Sequence, residues 1–259
     1  MSKRLWINLL LVIALAALLV FIFFKPELAA PPAKKLFSVT PYDATAITIQ
    51  RPEKATISLR KQQTRWMLEK PTQAAVNQDR IKHLLTILQE PIINSYPLDP
   101  QQLNTFGLNK ESAIQLTINE ETVLFGKTNA VTRNRYTLKN QQVHTIAEII
   151  YGTLGSSLTN LLTHRLFINN NSISNIEAPA LFDTEKVAEW GGLEAVNIAD
   201  YVGDEIIIGE IKVTLTDNST HTFNLFAHEP KLILGRGDIN VKYTFIEQDT
   251  QSLLKTSEE

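Results

Sequence analysis

Cysteine is absent from all 259 residues. That excludes disulfides, zinc–thiolate sites, iron–sulfur clusters and a cysteine nucleophile. An excess of either charge is missing too: 25 Lys and Arg stand against 27 Asp and Glu, leaving a formal charge of −2. With no strongly basic face, nucleic acid is not expected as a partner. With no long run of like charge, a charged tail is not the working part. Glycine and proline are moderate, at 10 and 11, so most of the chain should fold. A hydrophobic fraction of 44% supplies cores for one larger domain or two small ones.

Motifs that would announce chemistry are missing as well. Gly126-Lys127-Thr128 lacks the earlier glycine of a phosphate loop. Gly152-Thr153-Leu154-Gly155-Ser156-Ser157 lacks the Gly-x-Ser-x-Gly elbow, and it falls between two helical segments rather than after a strand. A helix break with Ser156 as N-cap is the simpler reading. The five histidines, His83, His144, His164, His221 and His228, form no pair with metal-ligand spacing. Glu120-Glu121 and Asp204-Glu205 fall in turns or strand approaches, and nothing local makes them an acid/base pair. No catalytic, cofactor-binding or metal-binding residue is therefore expected, and no cofactor.

Arg236-Gly237-Asp238 matches an adhesion tripeptide, but it sits where a glycine-rich turn would join Lys231–Leu234 to Val241–Phe245. Asn170-Asn171-Ser172 and Asn218-Ser219-Thr220 are glycosylation sequons by pattern, with meaning only on a eukaryotic secretory route. Trp66 and Trp190 fall in apolar patterns that suit core packing better than binding platforms.

What is present begins with an apolar run from Leu5 to Phe24, interrupted only by Asn8. Twenty residues at about 1.5 Å each match a hydrocarbon core of about 30 Å. The run is longer than a signal-peptide core, and Ala29-Ala30 precedes Pro31-Pro32, a poor cleavage context. An uncleaved transmembrane anchor is predicted over residues 1–25. Lys3 and Arg4 before it nearly balance Lys25, Lys34 and Lys35 after it, so the positive-inside count is close to a tie. A cytoplasmic N-terminus is chosen because four leading residues make no domain. The C-terminal part is then extracytoplasmic, periplasmic at an inner membrane. Residues 26–36, rich in Pro and Ala, read as a spacer.

Beyond the spacer, period-two alternation predicts strands at Ala46–Gln50, Ala55–Arg60, Thr64–Glu69, Ser112–Asn119, Thr122–Phe125, Asn134–Lys139 and Val143–Ile146. Gly126 should stop the fifth of these. Asn77 caps a helix that runs through Leu88 with Ile81, Leu84 and Leu85 inward. Asp99-Pro100 opens a short helix closing at Gly107. Helical patterns also cover Ala147–Leu154 and Ser156–Leu166, and Asn169–Ser172 reads as a boundary.

The last third echoes this plan. Gly191-Gly192-Leu193 echoes Phe106-Gly107-Leu108, Ile211–Leu215 echoes Ile114–Ile118, and Val241–Leu254 echoes Val143–Leu154. Duplication and a chance likeness of hairpins both fit. The predicted fold class is α+β: antiparallel sheets with packed helices, as two related units after one N-terminal transmembrane helix. The first unit is placed at 37–168 and a shorter second at 169–259.

The order of these elements resembles the bacterial proteins grouped as domain of unknown function DUF4340. The residues carrying it are Ile47-Thr48-Ile49, Ile57-Ser58-Leu59, Trp66-Met67-Leu68 with Pro71, the Ala75–Leu88 helix, Phe106-Gly107-Leu108, Leu124-Phe125-Gly126 and Arg135-Tyr136-Thr137-Leu138. The likeness spans roughly Thr45 to Leu166. It implies a membrane-anchored envelope protein, in some cases accompanying ABC-type transport systems related to gliding motility, and it brings no catalytic residues. Two functions are expected from different classes. One is a non-enzymatic accessory or scaffold subunit with a protein partner, bound to the membrane through Leu5 to Phe24. The alternative is an envelope hydrolase or carbohydrate-active enzyme whose carboxylates lie far apart in sequence.

Overall fold

A computed structural model describes residues 3–23, 33–148, 151–167, 173–201, 203 and 205–255. The chain divides into two units, Met1–Lys34 and Lys35–Glu259. Most of the expected spacer, and the expected boundary loop at 169–172, lie outside the described residues.

The first unit carries one helix, α1 (Lys3–Phe23). It is long and apolar enough to cross a membrane and none of its span is buried within the protein. Anchors and signal sequences share those properties.

The second unit is α+β, with two antiparallel sheets. Its first half contains β1 (Ala46–Gln50), β2 (Ile57–Gln62), β3 (Arg65–Lys70), β4 (Ala74–Ala75), α2 (Gln78–Leu85), β5 (Asn94–Pro97), α3 (Leu103–Phe106), β6 (Ile114–Ile118), β7 (Glu121–Thr128), β8 (Arg135–Lys139), β9 (Gln142–Ile146) and α4 (Tyr151–Gly155). Its second half contains β10 (Ile173–Glu177), α5 (Val187–Gly192), β11 (Asn197–Asp200), β12 (Gly209–Leu215), β13 (Thr220–Ala227), β14 (Ile233–Arg236), β15 (Val241–Thr244) and α6 (Glu247–Leu253).

Alternation decides which faces turn inward. Ile47 in β1 lies opposite Leu59 and Ile118, and Ile49 lies opposite Ile57 and Leu116. All six are buried, each worth about 1.5–3 kcal/mol on removal from water. Asn77 accepts from the Asp79 and Arg80 amides at 3.0 and 3.2 Å, so the cap of α2 is real. Ile81, Leu84 and Leu85 then face the core, and the helix tightens into a 3₁₀ turn at Thr86–Gln89. Asp99 and Gly107 bound α3 as its sequence implies: Asp99 caps the preceding turn, and Gly107 has the left-handed φ of 64°.

The two sheets repeat one plan. The first has the order β4-β3-β2-β1-β6-β7-β8-β9-β5 and the second β10-β12-β13-β14-β15-β11. Without the added β2–β4, the strand orders coincide, and every pairing is antiparallel. Connecting hydrogen bonds recur in the same places. The Asn77 amide donates to Leu161 O and the Asp183 amide to Leu253 O, both at 2.8 Å. Ile93 donates to Thr145 O and Val196 to Thr244 O, again both at 2.8 Å. Isolated bridges match too: Lys35 with Pro91 and Arg165 with Glu194; Val76 with Leu162 and Phe182 with Leu254. These equivalences align Lys35-Leu36-Phe37 with Arg165-Leu166-Phe167, and all four apolar side chains are buried. The second repeat thus begins near Arg165, ahead of residue 169.

Several expectations require correction. Gly191-Gly192-Leu193 is not the counterpart of Phe106-Gly107-Leu108: α5 lies between β10 and β11, whereas α3 lies between β5 and β6. Leu254 corresponds to Leu162 rather than Leu154, because hydrogen bonding and not sequence spacing sets the match. Ser156–Leu166 is not a helix. Only Leu158–Asn160 makes a 3₁₀ turn, and the chain then leaves to pair with Val76. Ser156 does not cap it: its hydroxyl donates back to Thr153 O at 2.8 Å. Gly126 does not end β7. It sits at a register shift between Phe125 and Thr128, where a Cβ would collide with the Phe106 carbonyl and approach the Leu108 side chain to 2.9 Å. Leu36 belongs to the folded part, not the spacer.

Candidate functional site

The cleft where the two sheets meet offers two cavities. The smaller, of about 310 Å³, is lined by Arg51, Lys54 and Ser157 from the first half and by Asp200, Tyr201 and Asn240 from the second. The Ser157 hydroxyl donates to Asp200 at 2.6 Å, and the Arg51 guanidinium donates to the carbonyls of Ser156 and Ala55. The Ser157–Asp200 bond joins the two halves at one end of the cleft, while the Arg51 bonds fasten first-half segments to one another. Burial pulls the Arg51 pKa down, and Asp200 counters it.

The larger cavity, of about 490 Å³, is lined by Gln62, Gln73, Leu166, Phe167, His221 and Arg236, among others. Arg236 is only 7% exposed. It donates to both oxygens of Asp238, at 3.1 and 2.6 Å, and reaches Gln73 O at 3.4 Å. The Arg-Gly-Asp tripeptide is therefore closed on itself, its arginine facing inward across the cleft. His221 lies beside Phe167, with ring centroids 6.1 Å apart. Burial lowers its pKa and Arg236 adds to that, against weaker pulls from Asp238 and Asp217. Tyr243 is pushed up to about 12, chiefly by burial.

The first half holds the corresponding trio in a different chemistry. Strand register places Glu121, Lys139 and His144 where the second half has His221, Arg236 and Tyr243. Glu121 pairs with Lys139 and accepts from the Ser38 amide and hydroxyl and from the Val39 amide. Lys139 also donates to Leu36 O at 2.7 Å. The segment that leads into the fold is thereby fastened to the first sheet. Burial raises the Glu121 pKa, but the bonds from Lys139 and Ser38 outweigh it and hold the carboxyl at about 2. His144 bonds Ser95 Oγ at 2.8 Å; burial, then Lys139, lowers its pKa.

The other residues raised by sequence are dispersed. His83 is exposed on α2, His164 bonds Ala195 O at 2.6 Å, and His228 follows β13 with its Nδ1 buried and unpartnered. Trp66 and Trp190 are buried in the core, so neither is a surface platform. Among the described residues no three His, Asp or Glu side chains gather as a metal site. The two described carboxylates with shifted pKa values, Glu121 and Asp217, are both shifted down. A general acid needs the opposite shift. The cleft lining offers the Gln62 and Gln73 amides, the His221 imidazole, the Arg51 and Arg236 guanidinium groups and the apolar walls of Leu166 and Phe167.

Sequence reasoning saw His221 and Arg236 singly, and missed Arg51, Gln73, Asp200 and Phe167. The signal it had was the pair of basic-Leu-Phe triplets, which mark the same structural position twice. No protein-family profile, curated protein or solved structure matches the chain.

Proposed function

We propose that this chain is a membrane-anchored extracytoplasmic protein that positions a partner in an envelope assembly, without catalysing a reaction. The observation that carries this reading is α1: a fully exposed apolar helix of spanning length in the same chain as a separately cored α+β unit. Such an arrangement raises the local concentration of the folded unit at the bilayer, so a weak contact suffices. Asn8 is the only polar residue within Leu5–Phe24, too little to line a transport pathway. A transporter in the assembly must then supply its own membrane core and its own nucleotide-binding loop. An accessory role beside an ABC-type system is what the DUF4340 resemblance implies, and the missing phosphate loop fits it. Acids lining the cleft engage neighbouring groups, Asp238 with Arg236 and Asp200 with the Ser157 hydroxyl, an arrangement that suits a binding surface.

Crosslinking in intact cells followed by capture of the full chain tests this. Recovery of membrane permease or ATPase components in defined ratio is the expected result. Capture of the bait alone, together with turnover of an envelope polymer by the purified protein, would replace the scaffold with a hydrolase. Reporters fused after Glu259 check the orientation: one active only outside the cytoplasm should work, and one active only inside should not.

A further inference from the structure

The connection between β11 and β12 exposes three consecutive isoleucines: Ile206 at 82%, Ile207 at 50% and Ile208 at 52%. A run of this kind on a water-facing loop costs solubility and calls for a covering surface. The same connection in the first half, residues 98–113, exposes no large apolar side chain; it carries α3 and buries Leu108 and Ala113. The isoleucines are therefore a feature of one copy, not a requirement of the repeated plan.

We propose that Ile206–Ile208 seats in the surface of a zwitterionic lipid bilayer. The proposal rests on the reading of α1 as a membrane anchor. Residues 24–32 are the nine that separate the described end of α1 from the described start of the folded unit. However they are arranged, nine residues span at most about 32 Å, so a bilayer holding α1 is always within reach of the folded unit. The chemistry of the loop selects the lipid. Branched apolar side chains favour the interface between headgroups and acyl chains, as on amphipathic surface segments. No Lys or Arg lies within the run to attract anionic headgroups, and Asp204 and Glu205 precede it in sequence. The Glu205 charge is met by Lys242, so it need not be carried bare to the interface. Neutral headgroups are thus the surface that fits.

The cysteine-free sequence makes the test direct. Ile207→Cys in the full chain takes a single nitrobenzoxadiazole label, and Val131→Cys, at a position 90% exposed on the β7–β8 connection, takes the same label as a control. Both proteins are reconstituted in phosphatidylcholine nanodiscs. The label at position 207 should emit at shorter wavelength and be quenched by shallow nitroxide lipids several-fold more than the label at 131. Adding Ile206→Ser and Ile208→Ser should bring the quenching at 207 down to the control level. Co-elution with the discs is scored separately. A chain that does not co-elute refutes the anchor itself. A chain that co-elutes while position 207 reports water refutes only the lipid contact. Shielding of 207 that requires added membrane proteins would assign the loop to a protein partner and overturn the lipid assignment.

Discussion

Phe37 and Phe167 hold the same position in the two halves of the folded unit. Each follows a buried leucine, each lies two residues past an isolated bridge, and each contributes to the one continuous core. Phe37 lies 5.4 Å from the Lys139 ammonium; Phe167 stacks edge-on with Phe223 at 6.0 Å. The replacement Phe→Ala at either site should destabilise by about 3–5 kcal/mol. Because the core is continuous, both variants should still unfold in one transition. Denaturant unfolding of the purified chain measures this. A loss below about 1 kcal/mol at either site, the ordinary size of a surface change, would break the equivalence.

Gly126 packs β7 against the turn that closes α3. Two segments that looked like separate motifs, Phe106-Gly107-Leu108 and Leu124-Phe125-Gly126, are the two sides of this contact. Gly126→Ala places a methyl group into the Phe106 carbonyl, and the backbone must move. Overpacking of this kind costs about 1–3 kcal/mol. Gly152→Ala, within α4 and with nothing within 4 Å of the added carbon, should not destabilise and should add up to about 1 kcal/mol. Melting temperatures of the two variants decide the matter: equal shifts would mean that the close approach is not what fixes glycine at 126.

Central strands were legible because one buried face forces alternation, as in Ile47, Ile49, Ile57 and Leu59. The edge strands were not. In β5, Asn94-Ser95-Tyr96-Pro97, all four residues are exposed, so no hydrophobic period exists to read. In β10 a bulge between Ile173 and Asn175 breaks the period. Leu158, Leu161, Leu162 and Leu166 have helical spacing, yet pairing with Val76 took the backbone elsewhere. The repeat was half legible: β6 and β12 stood out, but β2–β4 occurs in the first copy only. The offset between copies is therefore not constant, and Lys35-Leu36-Phe37 did not fall into step with Arg165-Leu166-Phe167. The cleft was illegible, since its residues come from both copies and meet only through the packing of the sheets.

Acid should lower the protein's stability over two ranges of pH. His144 and His221 have pKa values lowered by burial from 6.5. The unfolded chain then binds more protons than the folded one as pH falls below about 6.5, and stability drops with it. Glu121 acts lower on the scale. Its folded pKa of about 2 lies below the ordinary 4.5, so its contribution is complete above 4.5 and is lost as pH falls toward 2. Replacing both histidines by Gln should flatten the fall of the stability curve that begins below about pH 6.5. Glu121→Gln should flatten the lower limb and cost about 1–2 kcal/mol at pH 7, after allowance for solvent screening. Urea titrations at a series of pH values would show it; an unchanged upper limb in the double histidine variant would remove both groups from the account.

The folded unit should stand without α1. Every buried apolar residue of the core lies at or beyond Leu36, and Lys35–Glu259 forms its own compact unit. The chain's entry into that unit is fastened locally: Leu36 and Phe37 are buried, Lys35 pairs with Pro91, and Ser38 and Val39 donate to Glu121. A fragment starting at Ala33 keeps all of these contacts and should be folded in detergent-free buffer, with a cooperative melt and native amide dispersion. A fragment starting at Thr40 removes Leu36, Phe37 and the Ser38 and Val39 donors to Glu121, leaving its pairing with Lys139. It leaves a cavity under the sheet and strips the Ser38 bonds that help lower the Glu121 pKa. The apolar loss alone is worth about 3–5 kcal/mol for the phenylalanine, a large part of the 5–15 kcal/mol that holds a typical domain together. The shorter fragment should therefore melt far lower, or not fold. Equal melting of the two fragments would show that the segment entering the fold is passive, and would undo the role given to Glu121 and Lys139 in fastening it.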